Sequence, residues 1–257
     1  MEITLYGIPP SPPSHSVRLM LERKGIAYKS VSLLPGLHPA LLRTRGFRGG
    51  TVPAMKIDGR KLQNSRAISR ALEDAQPEPA LFPADPEQRI EVEEAERWGE
   101  EDFQNLPRRI VRWLAVHRPE VRLIIARDVG IPLPSLAARA NAPVAWVMAR
   151  KVDAERHIRA SIAQVPEALI HIDRLIATGV IGGDQPNAAD FQIATSVRSL
   201  LSIQDLRPGL EGRPAADLAM RILPELGSDF PAGMLPGWWL APLTRGLARS
   251  LERPTSA

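Results

Sequence analysis

The chain has 257 residues, of which 44% are hydrophobic, 24% charged and 5% aromatic, a globular balance that excludes disorder, collagen-like repeats and a membrane channel. It is long enough to bury one large core or two modest ones. With no cysteine, disulfides, thiolate metal sites, iron–sulfur clusters and chemistry on a protein thiol are excluded, and the formal charge of +4 comes without the aromatic clustering or motif that a nucleic-acid partner would need.

The first residues lack the basic flank and long apolar stretch of a secretory signal, and no window approaches the roughly 18 apolar residues of a spanning helix. The expectation is a cytoplasmic protein without a membrane or nucleic-acid partner.

Residues 2–6 alternate like a strand, and Pro9, Pro10, Pro12 and Pro13 are expected to forbid regular structure until a helix opens near Ser14, with Val17, Leu19, Met20 and Leu21 on its apolar face and Lys24-Gly25 as its stop. A second strand is predicted over Tyr28–Leu33 and a weak helix over Pro39–Thr44. Asp58-Gly59 between two short apolar runs is a two-residue hairpin signal, and Asn64 or Ser65 can cap the helix that follows, with Ile68 and Leu72 on its buried side. The order β-α-β-α-β-β-α within about 75 residues describes a compact α/β unit.

Four prolines in 77–86 mark a linker, and beyond it the pattern is helical. One helix is predicted from about Pro86 towards His117, others over about 151–178 and 187–204, with a proline-interrupted stretch at 117–150. The long helix is acidic at its start (Glu91, Glu93, Glu94, Glu96, Glu100, Glu101, Asp102) and basic later (Arg108, Arg109, Arg112, Arg118), which reads as a solvated face matched to the helix dipole. The expected domains are 1–76 and 87–257, joined by 77–86.

Three segments could carry chemistry. Ser11-Pro12-Pro13-Ser14 lies between the first strand and the first helix, where a hydroxyl and a helix N-terminus can meet an anion; equally, Ser14 is a plain N-cap and the prolines a stiff turn. At Thr51-Val52-Pro53 a cis bond would leave the Val52 N–H and C=O free to grip an extended peptide, whereas a trans proline would be an ordinary strand edge. Gln63-Asn64-Ser65 opens a helix and offers either a cap or a carboxylate site. His15, His38, His117, His157 and His171 show no metal-ligand spacing and read as surface or packing residues, as Trp98, Phe103, Trp113, Trp238 and Trp239 read as core.

Taken together, ITLYGIPPSPPSHSVRLMLERKGIAY, TVPAMKIDGRKLQNSRAISRAL and GGDQPNAADFQIATSV resemble the cytosolic glutathione transferase family, most specifically in residues 2–75 and 182–197. The resemblance implies an α+β architecture, an N-terminal thioredoxin-like domain followed by an all-α domain, and a homodimer. It implies glutathione as co-substrate, activated without a metal for attack on a small electrophile, as in detoxification. The family's serine position falls on Ser11, six residues before Val17, with Tyr6 as the rival hydroxyl; its cysteine-bearing members are excluded. Glutathione would be held by Ser11, Thr51, Val52, Pro53, Asn64 and Ser65, where Asn64 is shorter than the usual acidic residue or Gln. Pro10, Pro13, Phe103 and Trp238 are candidates for the second-substrate pocket, and Asn187 with Asp190 matches a structural capping box. The alternative is a non-catalytic transferase-like protein that binds a partner or an apolar ligand, motivated by Asn64 and the stretch 117–150.

Overall fold

The computed structural model describes residues 1–243, so the last part of the second expected domain lies outside the described residues. Strands β1 (Ile3–Gly7), β2 (Lys29–Ser32), β3 (Ala54–Ile57) and β4 (Arg60–Gln63) alternate with helices α1 (Pro12–Arg23), α2 (His38–Thr44) and α3 (Ser65–Ala75). They form one mixed sheet in the order β2-β1-β3-β4, with β1 parallel to β2 and antiparallel to β3. The β3–β4 hairpin turns through Asp58 and Gly59, both at positive φ, which is the two-residue geometry that Asp-Gly favours. This is a thioredoxin-like domain.

Helix α1 starts two residues earlier than expected. Ser11, not Ser14, is its N-cap, and Pro12 and Pro13 fill its first two positions, where a missing N–H leaves no helical bond unmade. Ser14 instead closes the preceding loop by accepting the Ile8 N–H at 3.3 Å, and it packs close on Gly7, where a Cβ would lie a tight 3.1 Å from the Ser14 Cβ.

The helical part begins with α4 (Pro86–Trp98), capped by Asp85. A π turn, Gly99–Phe103, joins it to α5 (Asn105–His117): the Gln104 N–H reaches back five residues to the Gly99 carbonyl at 3.0 Å, and Trp98 stacks on Phe103. The proline-interrupted stretch folds as α6 (Pro119–Asp128), α7 (Pro134–Ala140) and α8 (Ala142–Arg150), and the chain continues through α9 (Ala154–Ala177), α10 (Ala188–Leu201) and α11 (Pro214–Ile222). At α10 the Asn187 side chain accepts the Ala189 and Asp190 N–H groups while the buried Asp190 carboxylate accepts those of Asn187 and Gly182. Burial raises the Asp190 pKa.

One large core runs from the inner face of the sheet and α1 into α4, α5, α9 and α10; a smaller one behind the sheet holds Tyr6, Ile8, Leu33, Leu42, Phe47 and Ala54. The linker is nailed down rather than loose. The fully buried Lys24 ammonium pairs with Glu73 at 2.7 Å and donates to the carbonyls of Gln76, Pro77 and Pro79, while Glu73 accepts the N–H groups of Leu81 and Phe82. We propose 1–76 and 87–257 as the domain limits on this division of elements.

Two expectations need correction. Trp238 is 64% exposed and is not core. Nor is the acidic run of the long helix a solvated face throughout: Glu96 is fully buried, accepting from Ser69 Oγ at 2.7 Å and pairing with Arg70, and Glu93 also faces Arg70 at 3.8 Å. These carboxylates bind α4 to α3 within one chain. Burial, opposed by Arg70, raises the Glu96 pKa.

Candidate functional site

The register of the sheet brings the three candidate segments to one end of its strands. Tyr6 pairs with Ala54, and Ala54 with Gln63, so the loop after β1, the residues before β3 and the start of α3 lie side by side. The Ser11 N–H is tied to the Ile8 carbonyl at 3.0 Å, and its hydroxyl makes no capping bond. Because Pro12 and Pro13 carry no N–H, and those of Ser14 and His15 return to the Ser11 carbonyl, the Ser11 hydroxyl is the donor that α1 presents at this end.

The Val52-Pro53 bond is cis, and among the described residues neither the N–H nor the C=O of Val52 has a partner. The Pro53 carbonyl accepts the Asn64 N–H at 3.2 Å. Thr51 is exposed, and its carbonyl accepts from Gln63, whose side chain also clasps both backbone groups of Gly49. Asn64 stands at φ +69° and caps α3 by accepting the Ala67 N–H at 2.8 Å. Both its backbone strain and its capping oxygen are thus committed to starting the helix.

Ser65 departs from what its sequence position suggests. It is fully buried, and its N–H and hydroxyl already face a carboxylate: Glu100 Oε1, from the π turn, lies 3.2 Å from the Ser65 N and 2.8 Å from its Oγ. Gln192 Oε1 also lies 2.8 Å from the Ser65 Oγ and Gln192 donates to Gln104 Oε1 at 3.0 Å, so one buried network joins α3, α5 and α10. The anion position at the start of α3 is filled by the protein's own Glu100.

Tyr6 lies on the opposite face of the sheet, its ring 5.4 Å from Phe47 and beneath Arg45. His15, one helical turn after Ser11, is buried with neither ring nitrogen bonded, and burial, then Arg18, lowers its pKa to about 4.

The four residues expected around a second substrate are not brought together. Phe103 is 1% exposed and lines a shallow cleft with Trp98 and His171, Trp238 lies over Arg159, and Pro13 is buried at the start of α1 with Pro10 in the loop before it. A cavity of about 390 Å³ is instead formed by Ile8, whose carbonyl holds the Ser11 N–H, the loop Leu34–His38 and α5 to α8. Its walls are mainly aliphatic, with Arg112, Arg122, His38 and Asn141 the polar residues. Helix α8 packs directly on the thioredoxin-like part, since a Cβ at Gly36 would lie 2.2 Å from Val144 Cγ1. Glu100, Arg108 and Arg112 stand in the acidic-then-basic run of the sequence, a pattern that matches a solvated, dipole-matched face equally well.

A thioredoxin-like domain with a free hydroxyl after β1, a cis-proline before β3 and an all-α partner defines the glutathione S-transferase fold. Residues 5–80 match the family described as glutathione S-transferase, N-terminal domain. Over 96 residues it is 40% identical to a probable maleylacetoacetate isomerase 1 of Drosophila melanogaster, a match spanning 35% of this chain and 39% of that relative. A glutathione S-transferase from Rhodospirillum rubrum F11 superposes with a TM-score of 0.60 at 21% identity, covering 93% of this chain and 99% of the other. FzlA from C. crescentus does so with a TM-score of 0.57 at 21% identity, covering 94% and 99%. Some matching structures of this fold hold glutathione.

Proposed function

We propose that the chain is a glutathione transferase whose Ser11 hydroxyl donates to the glutathione sulfur and stabilises its thiolate, which attacks an electrophilic carbon of a small molecule in the adjoining cavity. The observation that carries this reading is the juxtaposition, at one end of the central strands, of the uncommitted Ser11 hydroxyl and the unpaired backbone pair of Val52. Val52 would take the cysteinyl backbone as an added strand takes its neighbour, and Ser11 would meet the thiol beside it. A free thiol has a pKa of about 8.5, and each unit of depression is worth about 1.4 kcal/mol, within reach of one oriented hydroxyl and the α1 dipole.

The Tyr6 ring, packed against Phe47 behind the sheet, supports Ser11 over Tyr6. At the start of α3, the γ-glutamyl carboxylate would have to replace Glu100 on Ser65. No metal takes part in this scheme, and a cytoplasmic homodimer completes it. The dimer rests on the resemblance.

The test is calorimetric titration of glutathione into the pure chain, followed by turnover of a generic electrophile. Binding with turnover is expected; neither at millimolar glutathione would leave the non-catalytic binding reading in its place. Light scattering should give twice the chain mass of 28.2 kDa, and a monomer would refute the dimer.

A further inference from the structure

The cavity that Ile8 joins to the Ser11 loop is lined by two arginines and no carboxylate. Arg122 is largely satisfied, since it donates to the carbonyls of Ala138, Ala115 and Val116. Arg112 is not: one nitrogen donates to the Met148 carbonyl at 3.1 Å, and among the described residues no acid pairs with it. A guanidinium carries five donors in a planar fork, so at this half-buried position in a mainly aliphatic cavity most of its hydrogen-bonding capacity is open to a ligand. Burial, and secondarily Arg108 one turn earlier, brings its pKa down to about 10, so the cation lacks the solvation it would have in water. Around it stand Val111, Ile125, Val144 and Met148, and Ile8 leads to the Ser11 loop.

We propose that this cavity binds an apolar molecule bearing a carboxylate, with the carboxylate on the free edge of the Arg112 guanidinium and the apolar body between α5, α6 and α8. A carboxylate is the planar, bidentate, oppositely charged complement of the fork. A neutral apolar ligand of the same shape would leave the cation buried and unpaired, and the site would discriminate against it. The inference deepens the transferase reading by naming a substrate class, and rests on that reading only for the reaction at the ligand's other end.

Binding is measured without glutathione, so the two can fail separately. Phenylbutyric acid and its methyl ester are titrated into the full chain at neutral pH by calorimetry. The acid should bind at least tenfold more tightly than the ester, a difference of about 1.4 kcal/mol. Arg112→Met should erase the preference by weakening the acid and tightening the ester, which no longer buries an unpaired cation, and Arg112→Lys, which keeps the charge but loses the fork, should keep part of the preference. Circular dichroism checks that each variant is folded; if Arg112→Met is not, Arg112→Lys is read alone. Equal binding of acid and ester, no binding of either at millimolar concentration, or an unchanged acid affinity in a folded Arg112 variant would overturn the proposal. Acid-selective binding without any glutathione turnover would refute the transferase reading and leave this site standing.

Discussion

Replacing Glu100 should make glutathione bind more tightly and the free protein less stable. Its Oε1 accepts from the Ser65 N–H at 3.2 Å and the Ser65 hydroxyl at 2.8 Å, at the N-terminus of α3. Hydrogen bonds to a charged group contribute about 1.5–3 kcal/mol each and the helix dipole about 0.3–1 kcal/mol. Glu100 is only half-buried, however, and regains water when released, so a net worth of about 1–2 kcal/mol is reasonable for the whole contact. In Glu100→Ala the buried Ser65 N–H loses that acceptor, and the melting temperature should fall by roughly 3–8 °C. A glutathione carboxylate no longer has to evict the side chain, so its affinity should rise about 5- to 30-fold. Saturating glutathione should then raise the melting temperature of the variant more than that of the unmodified chain. Glu100→Gln, which keeps an acceptor without the charge, should lie between. Calorimetry and thermal unfolding on the three proteins decide the matter. An unchanged affinity would show that no ligand carboxylate reaches Ser65, and a weakened one that Glu100 itself holds the ligand.

Ser11→Ala should raise the pKa of bound glutathione by about one unit and lower kcat/KM at neutral pH by roughly 10- to 100-fold, whereas Tyr6→Phe should change neither by more than about twofold, as read from thiolate absorbance and steady-state rates. His15 gives a pH dependence with a definite sign. Its folded pKa of about 4 lies below the unfolded value of 6.5, so its neutral form costs nothing above about pH 6.5, and stability is lost as the pH falls from there to about 4 because the unfolded chain takes up the proton. The loss is on the order of 3 kcal/mol; urea unfolding should show it missing from His15→Leu, and an equal loss in that variant would assign it elsewhere. Gly36→Ala should destabilise by at least about 2 kcal/mol, since its φ of +87° strains an L residue and its Cβ would meet Val144 Cγ1 at 2.2 Å. Adding Val144→Ala should restore the part due to the clash and leave the part due to φ, and full additivity of the two losses in denaturant unfolding would contradict the contact.

Local chemistry in the sequence accounts for the elements whose causes are themselves local. The Asp58-Gly59 hairpin, the Asn64 cap and the Asn187/Asp190 box are decided within four residues by positive φ or by a side-chain oxygen reaching the nearest free N–H groups, and each stands where the pattern put it. The order of strands and helices likewise sufficed for the α+β architecture. The start of α1 was misjudged because proline reads as a breaker, whereas at the first two helical positions it removes only N–H groups that the helix leaves unpaired. The tertiary structure alone decided what the charges do. Glu96, Glu100 and Arg112 belong to one charged helix in the sequence, yet one is buried under Arg70, one fills the anion position on Ser65 and one lines an apolar cavity with no acid to pair it among the described residues. A charge's role depends on which groups lie across the gap from it, and here those groups come from α3, α8 and the loop after β2, about 26 or more residues away along the chain. The same holds for the cavity: its walls come from 117–150, whose prolines marked the breaks between α6, α7 and α8 but not the packing of Val144 on Gly36 that encloses it.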